Sequence, residues 1–322
     1  MNVQNLKEAV LTGHNVTKEE ALELYEAPLE LLCAEADEIR RMRCGNGFDL
    51  CTIVNGKSGR CSENCRFCAQ SAYYTTHAED YSLLSVEHIV AQAKVQAERG
   101  VLRYSIVTAG RCLSVDEVEA MCVAVARIRR ETTLQVCVSF GLLQETQFRR
   151  LKAAGVSRVH NNLETSQRYF PNVCTTHRFE DKVAAIRAAQ AAGLDVCSGG
   201  IMGLGETVED RIDLALALRS LGIKSVPVNL LNPIPGTPFA ANKVLSADAL
   251  QRIVAVYRFI LPDAAIRLAG GRGLLSDKGR GCFCAGANAA ISGDMLTTAG
   301  ITVENDKQML QELGFVLRRD HE

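Results

Sequence analysis

Several things are scarce or missing in this 322-residue chain, and most of them narrow what it does. An excess of one charge is missing: 36 Lys and Arg stand against 37 Asp and Glu, interspersed, for a formal net charge of -1. So weak a field gives no hold on a phosphate backbone or an anionic membrane surface, and neither nucleic acid nor a membrane is an expected partner. A long apolar run is also missing. The first 26 residues alternate charged positions with isolated apolar ones, unlike a signal peptide or a membrane helix, and a cytoplasmic protein is expected. No Pro/Ser-rich linker or low-complexity tract divides the chain. Tryptophan is absent, which says little about function.

Cysteine, in contrast, is plentiful. There are 13, an odd number that cannot pair completely within one chain, and a reducing cytosol does not favour structural disulfides. Metal or cluster ligation is the leading explanation. With 47% hydrophobic and 23% charged residues the chain has material for a sizeable core in one or at most two compact domains.

From about residue 50 onward, short β-prone runs alternate with longer amphipathic stretches, the pattern of repeated βα units in a parallel sheet. Strands are expected near 102–108, 134–139, 157–162, 195–201, 225–231 and 265–268, with an early one at 49–54 and a last one at 287–292. Helices are expected over 114–130, 145–154, 179–192, 207–221 and 247–259. Strand-to-strand intervals near thirty residues suit a (β/α)8 TIM-type barrel, an α/β fold. A capping box T-x-x-E at Thr17 to Glu20 opens an expected N-terminal helix over 17–41. The expected organisation is an N-terminal helical extension (1–45), the barrel (46–300) and a C-terminal helical tail (301–322).

Just after the first expected strand stands RCSENCRFCAQS, in which Cys61, Cys65 and Cys68 form CxxxCxxC. Three thiolates on one short polar loop suit a four-iron cluster whose fourth iron stays open to a substrate. A zinc site is the competing reading, and it calls for a fourth Cys or His at local spacing. No histidine lies between Arg60 and Tyr74, which leaves His77 as the nearest fourth ligand. An aromatic residue, Phe67, precedes the last cysteine.

This loop resembles the signature of the radical S-adenosylmethionine superfamily. In that family the amino and carboxylate groups of the cofactor chelate the open iron, and an electron from the 4Fe-4S cluster cleaves the sulfonium to a 5′-deoxyadenosyl radical. Four further segments, HNNLETS (160–166), VCSGGIMGLGET (196–207), SVPVNLLNPIPGTP (225–238) and AGANAAISGDMLTT (285–298), together resemble the biotin synthase family. Relatives used in hydrogenase maturation and pyrrolysine synthesis share the barrel and should match these segments less well, and lipoyl synthases carry a second N-terminal cysteine triplet that this chain lacks. The resemblance implies radical insertion of sulfur into dethiobiotin, a one-electron donor protein such as flavodoxin or ferredoxin, and a homodimer. Two other readings are a related radical enzyme acting on another small molecule and a non-catalytic metal or iron-sulfur scaffold.

The resemblance also implies site residues. Phe67, Gly199, Gly203 and Glu206 would flank the cofactor, the glycines letting backbone approach the adenine where a Cβ would intrude. Asn162 and Glu164 would bind its ribose, and His177 would lie near its carboxylate. Asn162 and Asn229 would hydrogen-bond the cyclic urea of dethiobiotin, since an amide offers both donor and acceptor. His160 stands where another asparagine is expected.

Most relatives hold a second, sulfur-donating cluster deep in the barrel through three cysteines and one arginine. Cys137, Cys197 and Arg267 match three of those positions. The fourth is Ser105, and a hydroxyl is a poor ligand for such a centre compared with thiolate. An altered auxiliary cluster is therefore expected, with four irons rather than two, held by a subset of Cys137, Cys197, Cys282 and Cys284, with Cys112 as another replacement. Cys122 reads as core, and Cys33, Cys44, Cys51 and Cys174 receive no role.

Overall fold

The computed structural model describes residues 2–318. Three helices precede the first strand: α1 (Val3–Leu11), α2 (Lys18–Tyr25) and α3 (Leu29–Cys44). The capping box forms, Glu20 N donating to Thr17 Oγ1 at 3.2 Å and Thr17 N to Glu20 Oε2 at 2.8 Å. The one helix expected over 17–41 is two, because the chain turns through Ala27 and Pro28, and proline has no N–H to carry the ladder onward.

The barrel strands are β1 (Gly47–Lys57), β2 (Arg103–Thr108), β3 (Gln135–Ser139), β4 (Val156–His160), β5 (Asp195–Cys197), β6 (Gly200–Met202), β7 (Ser225–Leu230), β8 (Ala265–Leu268) and β9 (Ala289–Ser292). All pair in parallel in the order β1-β2-β3-β4-β5-β7-β8-β9, and β9 returns to β1, closing the sheet. The strand expected over 195–201 is split into β5 and β6 at Ser198 and Gly199. The split follows from crowding: a Cβ on Gly199 would stand 1.9 Å from the Pro227 carbonyl oxygen. β5 and β6 thus share one station, and the barrel has eight.

Helices α4 (Val86–Glu98), α5 (Val115–Glu131), α6 (Glu145–Ala154), α7 (Phe179–Ala191), α8 (Val208–Ser220) and α9 (Ala247–Ile260) form the outer ring. The extension lies against that ring, α3 on α9 and α2 on α8 and α9. After β8 come the short α10 (Arg280–Phe283) and, beyond β9, α11 (Val303–Glu312). The tail is not wholly helical: β10 (Val316–Leu317) pairs with Gly47 and Phe48, and the expected tail's residues 319–322 lie outside the described residues.

Alternation along the strands sorts the side chains. Leu50, Tyr104, Ile106, Val136, Val138 and Val159 are buried among the helices. The opposite parity, Cys51 and Ile53 on β1, Arg103, Ser105 and Val107 on β2, Cys137 and Ser139 on β3, Arg158 and His160 on β4, points into the barrel.

Candidate active site

The loop between β1 and α4 folds on itself before it carries any ligand. Cys61 N donates to Gln70 O (2.9 Å), Ala72 N to Cys61 O (2.9 Å) and Cys68 N to Cys65 O (3.0 Å). Its outer side is fastened to residues 173–177. Asn64 Oδ1 accepts from the backbone of Thr175 (2.9 Å) and Thr176 (3.2 Å), and Asn64 Nδ2 donates to Thr175 Oγ1 (2.6 Å). Glu63 Oε2 lies 2.5 Å from His177 Nδ1 and accepts from Thr176 Oγ1 at 2.8 Å.

Cys65, Cys174 and His177 offer ligand atoms within 4.8 Å of one another, the one such group of three or more His, Cys, Asp or Glu among the described residues. Cys65 and Cys174 share a hydrogen bond that raises the Cys65 thiol and lowers that of Cys174. Burial raises the Cys68 thiol to about 11. A bound iron would have to displace these protons. His77 is exposed and lies outside the group.

Inside the barrel lies a cavity of about 340 Å³. Phe67 and Cys68 of the loop line its mouth, at the C-terminal ends of the strands where barrel enzymes carry their chemistry. Cys137, Cys197 and Arg267 line it too, with Cys51, Ser105, Arg103, Arg158 and His160. Below them the buried Asp49 Oδ2 gathers three guanidinium groups: Arg103 Nε at 2.8 Å, Arg267 Nη2 at 3.0 Å and Arg158 Nη1 at 3.6 Å. Three arginines thus face two carboxylates, Asp49 beneath the cavity and Glu164 in its lining, and the remaining positive charge favours thiolates and anionic iron-sulfur centres.

The thiols register that field unequally. Burial pushes the Cys197 thiol up, but its hydrogen bond with His160 and the charges of His160, Arg267 and Arg158 outweigh it, leaving the group at about 7. At Cys137 burial prevails over Arg158 and Arg103, and the thiol is raised.

The expected cofactor and substrate residues divide. Asn162, Glu164 and Asn229 line the cavity. Glu164 has φ of 70°, a left-handed conformation costly for a non-glycine residue, and its backbone is clamped by Glu164 N to Gly199 O (3.1 Å) and Ile201 N to Glu164 O (2.9 Å). Burial raises its carboxyl, and the buried Oε2 has no hydrogen-bond partner. A strained, buried acceptor facing a chamber fits a hydroxyl-bearing ligand. Asn162 Oδ1 accepts from Gly199 N at 3.0 Å. Asn229 is fixed between strands, Nδ2 donating to Gly200 O (3.0 Å) and Oδ1 accepting from Gly270 N (2.9 Å), so much of its amide already serves the barrel.

Gly199, Gly203, Glu206 and His177 do not line the cavity. Glu206 Oε1 accepts from Gly203 N (2.9 Å) and Arg211 Nε (2.6 Å), closing the turn after β6. Gly203 itself has φ of 102°, which that turn requires. His177 stands behind the cysteine loop rather than inside the chamber.

Cys282 and Cys284, expected to share a cluster with Cys137 and Cys197, do not line the cavity that those two line. Both residues precede β9 on the side of the barrel where strands begin, away from the cavity. Cys282 is buried and Cys284 is exposed. Cys112 is exposed in the loop after β2 and does not line the cavity. Cys51, given no role from the sequence, also lines the cavity, two positions after Asp49 on the inward parity of β1. Arg103 and Arg158, charged residues inside β-prone runs, were the other unread signal.

Comparison with known proteins gives the family. The model of the Radical SAM superfamily matches residues 57–218, and that of the Biotin and Thiamin Synthesis associated domain matches 227–316. A biotin synthase of Brachyspira hyodysenteriae is 56% identical, covering 98% of this chain and 95% of its own. One from Akkermansia muciniphila is 54% identical over 98% of both, and biotin synthase 2 of Corynebacterium diphtheriae is 53% identical over 99% and 97%. Among solved structures, a methylornithine synthase superposes with a TM-score of 0.84 at 20% identity over 98% of both chains. A maturase of the [FeFe]-hydrogenase gives 0.83 at 16%, over 98% of this chain and 75% of its own. These two share the fold, at far lower identity than the biotin synthases. The fold and the loop thus define a radical S-adenosylmethionine barrel. Within that class the chain belongs to the biotin synthase family.

Proposed function

We propose that the chamber holds S-adenosylmethionine against a 4Fe-4S cluster on Cys61, Cys65 and Cys68, with dethiobiotin between that mouth and an auxiliary iron-sulfur cluster on the floor. The reaction is insertion of sulfur between two unactivated carbons to make biotin. One observation carries the reading: a single cavity is lined at its mouth by Cys68 and in its depth by Cys137, Cys197 and Arg267. Together, cluster and cofactor supply one-electron cleavage of a sulfonium and abstraction of hydrogen from carbon.

The chain's own residues bind, orient and exclude water. Glu164 offers its unpartnered Oε2 to the ribose hydroxyls, and Asn162 stands beside it. Phe67, Ile201 and Leu231, adjoining Leu204 and Phe239, give an apolar slot for the adenine. Asn229 keeps one amide hydrogen for the cyclic urea while the barrel holds its other two bonds. His177 and Glu63 brace the loop from behind.

Cys137, Cys197 and Arg267 face the auxiliary cluster, which four irons would fill. The enzyme works as a homodimer with a reductant protein of the flavodoxin or ferredoxin kind. Thirteen free cysteines suit the reducing cytoplasm, and among the described residues no helix is long and apolar enough to cross a membrane.

The test is anaerobic reconstitution with iron and sulfide, then incubation with S-adenosylmethionine, a strong reductant and dethiobiotin. Expected products are 5′-deoxyadenosine and biotin. A fully iron-loaded chain that leaves the cofactor intact, or a loop that holds zinc, overturns the reading.

A further inference from the structure

We infer that Cys51, on the first barrel strand, supplies the third thiolate of the auxiliary cluster, compensating for the hydroxyl at Ser105. The inference rests on the reading of the barrel floor as a cluster site and names a ligand that reading does not contain.

Elimination and position both lead there. Among the thirteen cysteines, those lining the cavity are Cys51, Cys68, Cys137 and Cys197, and Cys68 belongs to the loop at the mouth. Ser105 pairs in register with Cys137 on β3 and with Ile53 on β1. Cys51 is two residues earlier on that same β1 strand, hence the same inward parity one layer deeper. A thiol absent from β2 at the level of Cys137 is thus matched by one on the adjacent strand toward the floor. Cys51, Cys137, Cys197 and Arg267 all line the one cavity, so the sulfurs face a shared space from three strands.

A cluster needs thiolates that each grip a different iron, and three strands facing one space can each supply one. The Sγ of Cys51 donates one hydrogen bond, 3.4 Å to the carbonyl of Thr52, which ligation would replace. On ligation that S–H proton passes to solvent as the iron-sulfur bond forms. A merely structural cysteine could sit in the same place, and the experiment separates the two.

The chain is prepared with Cys61, Cys65 and Cys68 all changed to Ala, so that bound iron reports the floor alone, and it is reconstituted anaerobically. Iron, sulfide and the visible and Mössbauer spectra are measured, with circular dichroism to verify folding. In that background the auxiliary iron is expected to persist. Adding Cys51→Ala, or Cys51→Ser to keep the volume, is expected to remove most of it or change its spectrum, while Cys112→Ala and Cys284→Ala leave both as they were. A folded Cys51→Ala or Cys51→Ser chain with full iron and an unchanged spectrum overturns the assignment. Cys137→Ala is the arbiter: iron lost there but kept at Cys51 sinks only Cys51, whereas iron kept in both sinks the cluster reading of the floor.

Discussion

The two cysteine sites are built in opposite ways. Cys61, Cys65 and Cys68 sit within eight consecutive residues on a loop that makes its own hydrogen bonds and is tied to one neighbouring segment. Cys51, Cys137 and Cys197 come from three strands and meet only because eight strand stations close into a barrel. The first site carries its geometry in local sequence. The second borrows it from the global fold, together with three arginines on one buried carboxylate. Damage to the loop should therefore silence chemistry while the barrel stands, and damage to the floor should threaten both.

The sharpest test of that contrast is the loop. Changing any one of Cys61, Cys65 or Cys68 to Ala is expected to reduce 5′-deoxyadenosine formation to background while the thermal melt of the barrel stays close to that of the parent. A melt that collapsed with the cluster would put the loop inside the folding unit and erase the distinction. Asp49→Asn is the matching change at the floor. It leaves Arg103, Arg158 and Arg267 without the carboxylate charge they share, and stripping one partner from a buried ionic set costs about 3–5 kcal/mol. Urea unfolding measures it, and a loss below about 1 kcal/mol would mean that water reaches the floor.

A subtler change asks whether the loop depends on its fastening. Asn64 joins it to Thr175 and Thr176 through side-chain and backbone bonds. Asn64→Ala is expected to cost about 1–2 kcal/mol and to lower iron retained by the loop under a competing chelator, with floor iron unchanged. Equal losses at both sites would contradict the independence argued above.

How much of this was legible in the sequence follows from the same distinction. The eight strand stations were readable because parallel strands buried on both sides announce themselves as short β-prone runs between helices. The loop was readable because spacing alone specifies it. Pro28, Gly199 and β10 were not: a helix break, a close approach to Pro227 and a two-residue edge pairing depend on what stands opposite. The floor was half readable. Cys137, Cys197 and Arg267 were found by resemblance, but a CxC such as Cys282 and Cys284 says nothing about which end of a barrel it occupies. Cys51 gains meaning only once the register of β1 is known.

The smallest effect probes a region that belongs to neither site, the cap of α8. There Asp210 is buried and accepts from Ser166 Oγ (2.6 Å), Thr207 N (2.9 Å), Thr207 Oγ1 (2.9 Å) and Arg168. Burial pushes its carboxyl up, yet the bonds from Ser166, Thr207 and Arg168 prevail and hold it below the usual carboxylate range. A folded-state value below the unfolded one means that the ionised group stabilises the fold above the unfolded value, near 3.9, and that this contribution drains away as pH falls through the folded value. Asp210→Asn is therefore expected to cost about 1 kcal/mol at neutral pH, with the gap to the parent narrowing as unfolding is measured at progressively lower pH below about 4. Iron content at both cysteine sites should not change. A gap that stayed constant into acid would assign the loss to the altered shape of the cap rather than to its charge.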